Sequence, residues 1–242
     1  MQIIPAIDLR EGKCVRLMQG DFGRMTVYSN DPVEVAARWH FAGAERIHIV
    51  DLDGSRAGAP RNQKTIEAIV RNVPLPIEVG GGIRNIDTVG EYFERGARWV
   101  ILGTAALKDR KFLEEACRSF QDRIILGIDG RNGKAAIEAW TEDTTESVEN
   151  IAGSYQDTGI SSLIYTDISR DGMESGVNIE STRRLAESIR IPVIASGGVS
   201  TLEDIKRLKS IEQCGVIGVI IGKALYSGAL RLEDAIKEGK VS

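Results

Sequence analysis

Short runs of apolar residues, rich in Ile, Val and Leu, alternate along the chain with longer stretches that have a helical period. A short apolar run bounded by turn residues is typical of a strand that is buried on both faces. Apolar residues spaced three and four positions apart are typical of an amphipathic helix. The runs that we predict to be strands span residues 3–7, 46–52, 76–79, 99–102, 124–128, 162–166, 192–195 and 216–221.

The stretches between these runs carry the residues that begin and end helices. Clear examples are residues 31–44, 85–97 and 201–210. Asp31 and Thr201 stand at N-cap positions, and Pro32 occupies the first helical position after Asp31. Glycine, which tolerates the left-handed conformation that ends many helices, stands at positions 43, 96 and 159. Strands that alternate with helices in this way are expected to pair in parallel through right-handed crossovers.

Eight strand–helix units in 242 residues match the size of a (β/α)8 TIM barrel. A doubly wound open sheet is the alternative. An internal repeat favours closure, because the pattern Asp-x-Arg-x-Gly-Lys occupies residues 8–13 and recurs at 129–134, half a chain length later. A closed barrel can be built from two similar four-strand halves. We therefore predict one α/β domain over residues 1–242, with half-barrels of roughly 1–121 and 122–242.

Two longer insertions follow the first and fifth predicted strands. Residues 13–19 and 134–140 have the pattern of short hairpin strands within loops. In a barrel, loops that follow strands lie over the carboxyl ends of the strands, where active sites of this fold are assembled. We expect both hairpins to cover the mouth of the barrel.

Composition narrows the class of protein. A net charge of −4 and a pI near 5.4 argue against nucleic-acid binding, which is usually accompanied by a basic surface. The chain has no apolar run of about 18 residues and does not begin with a secretion signal, so we expect a cytoplasmic protein with no membrane contact. Three widely spaced cysteines favour reduced thiols, and only two histidines argue against a histidine-based catalytic triad or metal cluster.

The repeated motif places one aspartate at the end of each half-barrel's first strand. For a single aspartate, a structural pairing with a nearby Arg or Lys would be the simpler interpretation. Asp8 and Asp129, however, lie four strands apart in a ring of eight and should face each other across the mouth. Two carboxylates that face each other over a substrate suit general acid–base catalysis, provided that one keeps its proton near neutral pH.

Glycine-rich turns follow the third, fourth, seventh and eighth predicted strands. Glycine leaves main-chain N–H groups accessible and lets a phosphate approach the start of the next helix. Turns required only for chain geometry are the alternative for any one of them. Four turns in two opposed pairs indicate a small-molecule substrate with a phosphate at each end. The residues concerned are Gly81, Gly82, Gly103, Thr104, Gly197, Gly198, Gly222 and Lys223.

Four further residues are candidate ligand contacts. Arg84 lies beside a glycine turn and suits a phosphate or carboxamide. The residues after the sixth strand, among them Asp171, either form only a polar turn or allow Thr166 and Asp171 to hydrogen-bond a catalytic carboxylate or a substrate hydroxyl. Trp140 lies in a polar loop, where its ring is available to stack on a planar group. His48, within a buried strand, is expected to be a core residue.

Six motifs occur in order along the whole chain, namely IPAIDLREGKCVRLMQGDF, VGGGIR, LGTAAL, GIDGR, TDISRDG and SGGV. With them the chain resembles the phosphoribosylformimino-5-aminoimidazole carboxamide ribotide isomerases of histidine biosynthesis. The resemblance implies a (β/α)8 barrel that uses no metal or cofactor and carries out an Amadori rearrangement on a bisphosphate substrate. It also implies that Asp8 is the base and Asp129 the acid. We expect the protein to be a monomer.

Two positions depart from this family's pattern, Met173 after the RDG motif and Lys223 after the last glycine turn. Three other functions remain open. The sister cyclase has equivalent acids but carries an alternating charged ring at the amino ends of its strands, where this chain has Gln2, Arg46, Trp99 and Ser162. A barrel that only binds sugar phosphates would not need both carboxylates. Some isomerases of the family also act on phosphoribosyl anthranilate.

Overall fold

The computed structural model describes residues 1–137 and 142–240, and its centre is a closed ring of eight parallel strands. The described residues contain twelve strands, namely β1 Gln2–Arg10, β2 Lys13–Met18, β3 Asp21–Ser29, β4 Ile47–Asp51, β5 Ile77–Gly80, β6 Trp99–Leu102, β7 Ile124–Arg131, β8 Lys134–Ile137, β9 Glu142–Ser147, β10 Ser162–Asp167, β11 Val193–Ser196 and β12 Val216–Ile221. The ring runs β1, β4, β5, β6, β7, β10, β11, β12 and returns to β1. The predicted (β/α)8 TIM barrel is confirmed.

Helices connect the parallel strands on the outside of the ring. They are α1 Pro32–Phe41, α2 Leu52–Ala57, α3 Gln63–Asn72, α4 Ile86–Glu94, α5 Thr104–Lys108, α6 Arg110–Ser119, α7 Val148–Ser154, α8 Ile179–Ser188, α9 Leu202–Lys209, α10 Lys223–Ser227 and α11 Leu232–Lys240, with a 3-10 turn at Glu212–Cys214. Asp31 and Thr201 accept hydrogen bonds from the first turns of α1 and α9, as predicted for N-cap residues. Within the described residues, no helix has the length and apolar character needed to cross a membrane.

The first strand of each half-barrel continues beyond the ring into a hairpin. β1 pairs antiparallel with β2, which pairs with β3, and β7 pairs with β8 and β9 in the same way. These additional pairings carry β1 and β7 three residues beyond their predicted ends. The hairpin predicted at 13–19 is confirmed, and the one predicted at 134–140 is confirmed over residues 134–137, while 138–140 lie outside the described residues. Both follow a strand that carries a candidate catalytic aspartate.

The core has two layers because a barrel strand presents alternate side chains to its two faces. Outward side chains of the strands pack against the apolar faces of the helices. Inward side chains form a smaller cluster made of Ile4, Ala6, Ile125, Ile164, Ile194 and Ile220. This inner cluster lies inside the barrel, below the open carboxyl ends of the strands.

A pair of buried aspartates shows the similarity of the two half-barrels. At the end of β4, Asp51 accepts a hydrogen bond from Nδ2 of Asn62 at 2.7 Å, and at the end of β10, Asp167 accepts one from Nδ2 of Asn178 at 2.7 Å. Each asparagine follows its aspartate by eleven positions. Both carboxylates therefore organise the loop after their strand rather than face a ligand.

Candidate functional site

A cavity of about 300 Å³ opens at the carboxyl ends of the barrel strands. Every predicted site residue that the structure describes lines this cavity. They are Asp8, Gly81, Gly82, Arg84, Gly103, Thr104, Asp129, Thr166, Asp171, Gly197, Gly198, Gly222 and Lys223. Trp140 lies outside the described residues, so its contact with a ligand stays a prediction. The structure thus brings together residues from both halves of the chain, while their individual roles remain predictions.

Asp8 is held by an arginine that the sequence did not single out. Nη1 of Arg16, on β2, donates to Oδ2 of Asp8 at 2.7 Å, and its Nη2 donates to the carbonyl oxygen of Ala6 at 3.0 Å. Burial alone would lower the pKa of the Arg16 guanidinium, but the charges of Asp8, Tyr226 and Asp171 together raise it. Arg16 is therefore a fixed cation inside the pocket. Its position in the middle of a predicted hairpin strand was the only sequence signal for it.

Asp171 is a carboxyl group of this pocket whose pKa is raised by its surroundings. Its pKa is raised to about 6. Burial is the largest cause, the charges of Asp8 and Asp129 add to it, and the neighbouring Arg16 charge opposes it. Its carbonyl oxygen accepts a hydrogen bond from the N–H of Gln19 at 3.3 Å, which joins the loop after β10 to the first hairpin. The charges of two other carboxyl groups, Asp8 and Asp129, thus act on Asp171.

Asp129 lies at the end of β7, where its main chain has neighbours on both sides. It is in register with Thr166 of β10 and with Ala136 of β8. Thr166 also lines the cavity, so the threonine predicted to accompany a catalytic carboxylate is on the strand next to it. Whether Thr166 hydrogen-bonds a catalytic carboxylate or a substrate hydroxyl stays a prediction.

Two glycine pairs form the same turn in the two half-barrels. Gly81 and Gly82 have φ angles of +105° and +75°, and Gly197 and Gly198 have φ angles of +95° and +87°. A Cβ atom on Gly81 would lie 2.3 Å from the carbonyl oxygen of Asp51, and one on Gly197 would lie 2.6 Å from that of Asp167. Both the backbone conformation and the close approach therefore require glycine.

The other two glycines precede short helices that sit directly on the barrel mouth. Gly103 precedes α5 and Gly222 precedes α10, with similar dihedral angles of φ −108°, ψ −119° and φ −112°, ψ −95°. The strands before these glycine turns, β5–β6 and β11–β12, lie on opposite sides of the ring. The first main-chain N–H groups of α5 and α10 have no partner within their own helix and therefore suit an anion.

The two basic residues predicted at these turns have different surroundings. The guanidinium of Arg84 packs against Gly58, where a Cβ atom would lie 2.6 Å from its central carbon. Nζ of Lys223 donates to the carbonyl oxygen of Gly172 at 2.8 Å and lies 3.8 Å from Oε2 of Glu174. Lys223 thus ties α10 to the loop that carries Asp171. Lys223 is one of the two departures noted in the sequence.

The fold and the cavity together define a (β/α)8 barrel with an acidic ligand site set between two opposed pairs of glycine turns. The family model described as histidine biosynthesis protein matches residues 2–231. The chain therefore belongs to this histidine biosynthesis protein family, and the resemblance found in the sequence is confirmed.

Curated relatives agree with this assignment. The chain is 61% identical over its full length, and over the full length of the relative, to a protein of Syntrophus aciditrophicus. It is 52% identical to a protein of Trichlorobacter lovleyi, in an alignment that covers 98% of this chain and 96% of the relative. It is 51% identical to a protein of Hahella chejuensis, in an alignment that covers 97% of each chain. All three are named 1-(5-phosphoribosyl)-5-((5-phosphoribosylamino)methylideneamino)imidazole-4-carboxamide isomerase.

Proposed function

We propose that this protein is an isomerase of histidine biosynthesis that converts the aminoaldose ProFAR into the aminoketose PRFAR by an Amadori rearrangement. The observation that carries the proposal is the placement of Asp8, Asp129 and Asp171 in one cavity between two opposed pairs of glycine turns. This arrangement suits a substrate that has a phosphate at each end and a reacting sugar in the middle. The shared name of full-length relatives supports the same substrate.

The reaction needs an acid, a base and a means of holding the sugar still. An acid protonates the ring oxygen of the aminoaldose, and the ring opens to a protonated imine. Asp8 then removes the proton from the adjacent carbon, C2, and the resulting enaminol becomes the ketose. The Arg16 guanidinium that faces Asp8 keeps this side chain directed into the cavity and matches the carboxylate form that a base requires.

Two carboxyl groups are candidates for the acid. Asp129 is the residue that the internal repeat and the family resemblance assign to this role. Asp171 is the second candidate, because its pKa of about 6 lets it hold a proton closer to neutral pH than an ordinary aspartate does. The negative charges of Asp8 and Asp129 contribute to that pKa. Variants of Asp129 and of Asp171 therefore have to be compared in the same assay.

One assay tests the proposed function. Purified protein is incubated separately with the aminoaldose, with phosphoribosyl anthranilate, and with the cyclase substrate plus ammonia, and each product is followed over time. Turnover of the aminoaldose is the expected result. Turnover of the cyclase substrate alone, or of none of the three, would overturn the proposal.

Two related activities are decided by the same assay. Turnover of phosphoribosyl anthranilate together with the aminoaldose would make the protein a dual isomerase. The cyclase alternative requires a charged ring at the amino end of the barrel. There, Arg46 is paired with Glu78 and packs on the ring of Trp99 instead, which favours the isomerase. Work without a cofactor, a cytoplasmic location and a monomeric state are further parts of the proposal.

A further inference from the structure

A group of charged and polar side chains is buried inside the first half of the barrel, below the cavity. Glu78 on β5 is completely buried, and one of its carboxylate oxygens, Oε1, lies 2.6 Å from Nδ1 of His48 on β4. Its other oxygen, Oε2, is ion-paired with Arg46. The Arg46 guanidinium in turn lies 3.9 Å from the centre of the Trp99 ring. One carboxylate thus joins an arginine to a histidine.

The stability of the barrel does not by itself require this cluster. In the second half-barrel the interior is filled by isoleucines, at positions 125, 164, 194 and 220. Replacing a buried ion pair with apolar side chains of similar volume is often neutral or stabilising, because removing charges from water is costly. The cluster is therefore better explained by what His48 does in the cavity than by packing.

His48 reaches the cavity from below Asp8. In the pairing of β1 with β4, Ala6 is opposite His48 and Asp8 is opposite Val50. His48 therefore lies on the strand next to Asp8, two residues deeper in the barrel. Its side chain is 11% exposed to solvent and lines the cavity. The imidazole forms part of the floor beneath the place where Asp8 would act.

Glu78 determines which ring nitrogen of His48 carries the proton. A carboxylate can only accept hydrogen bonds, so its contact with Nδ1 places the proton of a neutral imidazole on that nitrogen. Nε2 then carries a lone pair and lies on the side of the ring that Glu78 does not occupy. Because Glu78 occupies Nδ1 and His48 lines the cavity, Nε2 is the ring nitrogen left to accept a hydrogen bond from a ligand there. This acceptor is suited to a hydroxyl group of the substrate.

We propose that His48 is a catalytic residue that takes the proton of the C2 hydroxyl when the enaminol becomes the ketose, and that Glu78 is its positioning residue. The inference rests on the proposed function. In this step the O–H bond breaks and its electron pair forms the C2=O bond. The C1=C2 electron pair takes up, at C1, the proton that Asp8 removed from C2. The proton gained by Nε2 balances the one that the acid gave to the ring oxygen.

The experiment compares two rates in the same sample of a His48→Gln variant. The aminoaldose is incubated in D2O, and deuterium at C2 of the recovered substrate is measured alongside formation of the ketose. If His48 acts after Asp8, proton removal at C2 continues while formation of the ketose falls by about 10²-fold, as expected for loss of a general base. The ratio of exchange to turnover therefore rises. Because both rates come from the same folded molecules, a loss of folded protein does not change this ratio.

Glu78→Gln tests the positioning role. An amide can either accept from Nδ1 or donate to it, so both tautomers of His48 become accessible and the ratio should rise less than in His48→Gln. Glu67→Gln is the matched control, because it removes an ion pair with Arg95 at 2.8 Å on the outer helices. The control should keep the wild-type ratio.

The outcomes separate this inference from the proposed function. If the wild-type protein turns over the aminoaldose but the ratio in His48→Gln is unchanged, the role of His48 is overturned and the proposed function stands. An equal fall of exchange and turnover in His48→Gln likewise overturns it, since that result indicates an effect before proton removal at C2. Absence of turnover in the wild type overturns both.

Discussion

Arg16 and Asp8 form an ion pair inside the cavity, with Nη1 of the guanidinium 2.7 Å from Oδ2 of the carboxylate. The two residues lie on adjacent antiparallel strands, β1 and β2, so the hairpin itself brings them together. The same guanidinium charge acts on Asp171 and lowers the pKa of that carboxyl group against the effect of burial. One arginine thus influences both the proposed base and a candidate acid.

Arg16→Met should raise the pKa of Asp171 above its value of about 6, because the positive charge that favours the ionised form is removed. Carbon-13 NMR of labelled aspartate side chains as a function of pH measures this change. Arg10→Met is the control, since Arg10 contacts Phe22 and Met25 on the first hairpin instead. An unchanged pKa of Asp171 in Arg16→Met would contradict the electrostatic coupling.

Asp171→Asn should stabilise the protein above about pH 6. The pKa of Asp171 is raised from an ordinary value of 3.8 to about 6, so the folded protein favours the protonated form of this side chain. The resulting contribution to the free energy of unfolding is fully present below pH 3.8 and is lost as the pH rises through 6. Asparagine does not ionise and avoids this loss. For a half-buried group the gain at pH 8 should be about 1–2 kcal/mol and should vanish near pH 4. Urea unfolding at both pH values measures it, and a larger gain at pH 4 would contradict the assignment.

Asp8→Asn and Asp129→Asn should each lower turnover by about 10²–10⁴-fold, while binding of the bisphosphate substrate persists at the separate glycine turns. The double variant should be little worse than the poorer single one, because members of a catalytic unit are not additive. Turnover close to wild type in either single variant would refute a mechanism with paired aspartates. Steady-state kinetics and substrate binding are measured on the same preparations.

A ring-opened substrate analogue separates the base from the acid. Exchange of its C2 proton with solvent should persist in Asp129→Asn and stop in Asp8→Asn, because ring opening is no longer needed but proton removal is. Asp171→Asn belongs in the same series. If Asp171 is the acid, this variant loses turnover of the closed aminoaldose but retains exchange in the analogue. Equal exchange in the Asp8 and Asp129 variants would reject the assigned roles.

Crystals grown with sulfate or phosphate should contain two anions on opposite sides of the barrel mouth. One is expected at Gly82 and Thr104, and the other at Gly198 and Lys223, each bound mainly by main-chain N–H groups. Electron density identifies both directly. Density at only one of the two places, even with the substrate bound, would refute the two-phosphate interpretation.

Asp51→Ala should destabilise the fold strongly. The Asp51 carboxylate accepts hydrogen bonds from the main-chain N–H groups of Gly54, Arg61 and Asn62, at 2.7–2.8 Å. Leaving buried donors unpaired costs about 1–3 kcal/mol each, so a loss of at least about 3 kcal/mol is expected in urea unfolding. Asp87→Ala, at an exposed position of α4, is the control and should change stability by less than about 0.5 kcal/mol.

Much of the fold could be predicted from the sequence because its signals are local. A run such as 99–102 or 216–221, bounded by turn residues, needs no knowledge of distant residues to be recognised as a strand, and both have these bounds in the structure. The repeat at 8–13 and 129–134 was the evidence that predicted a closed barrel rather than an open sheet. Glycine turns were equally readable, since only glycine tolerates positive φ where the backbone approaches so closely.

The partners inside the cavity were decided by the tertiary structure. The charge of Asp8 acts on the pKa of Asp171, more than 160 positions later in the chain, because the loop after β10 folds over the first hairpin. His48 is buried, as expected, but the sequence did not show that it pairs with Glu78 or that it also lines the cavity. A strand that is buried on both faces has no polar side, so its hydrophobic pattern does not tell which residues point inward. Closure of the barrel makes that choice, and with it the composition of the cavity floor.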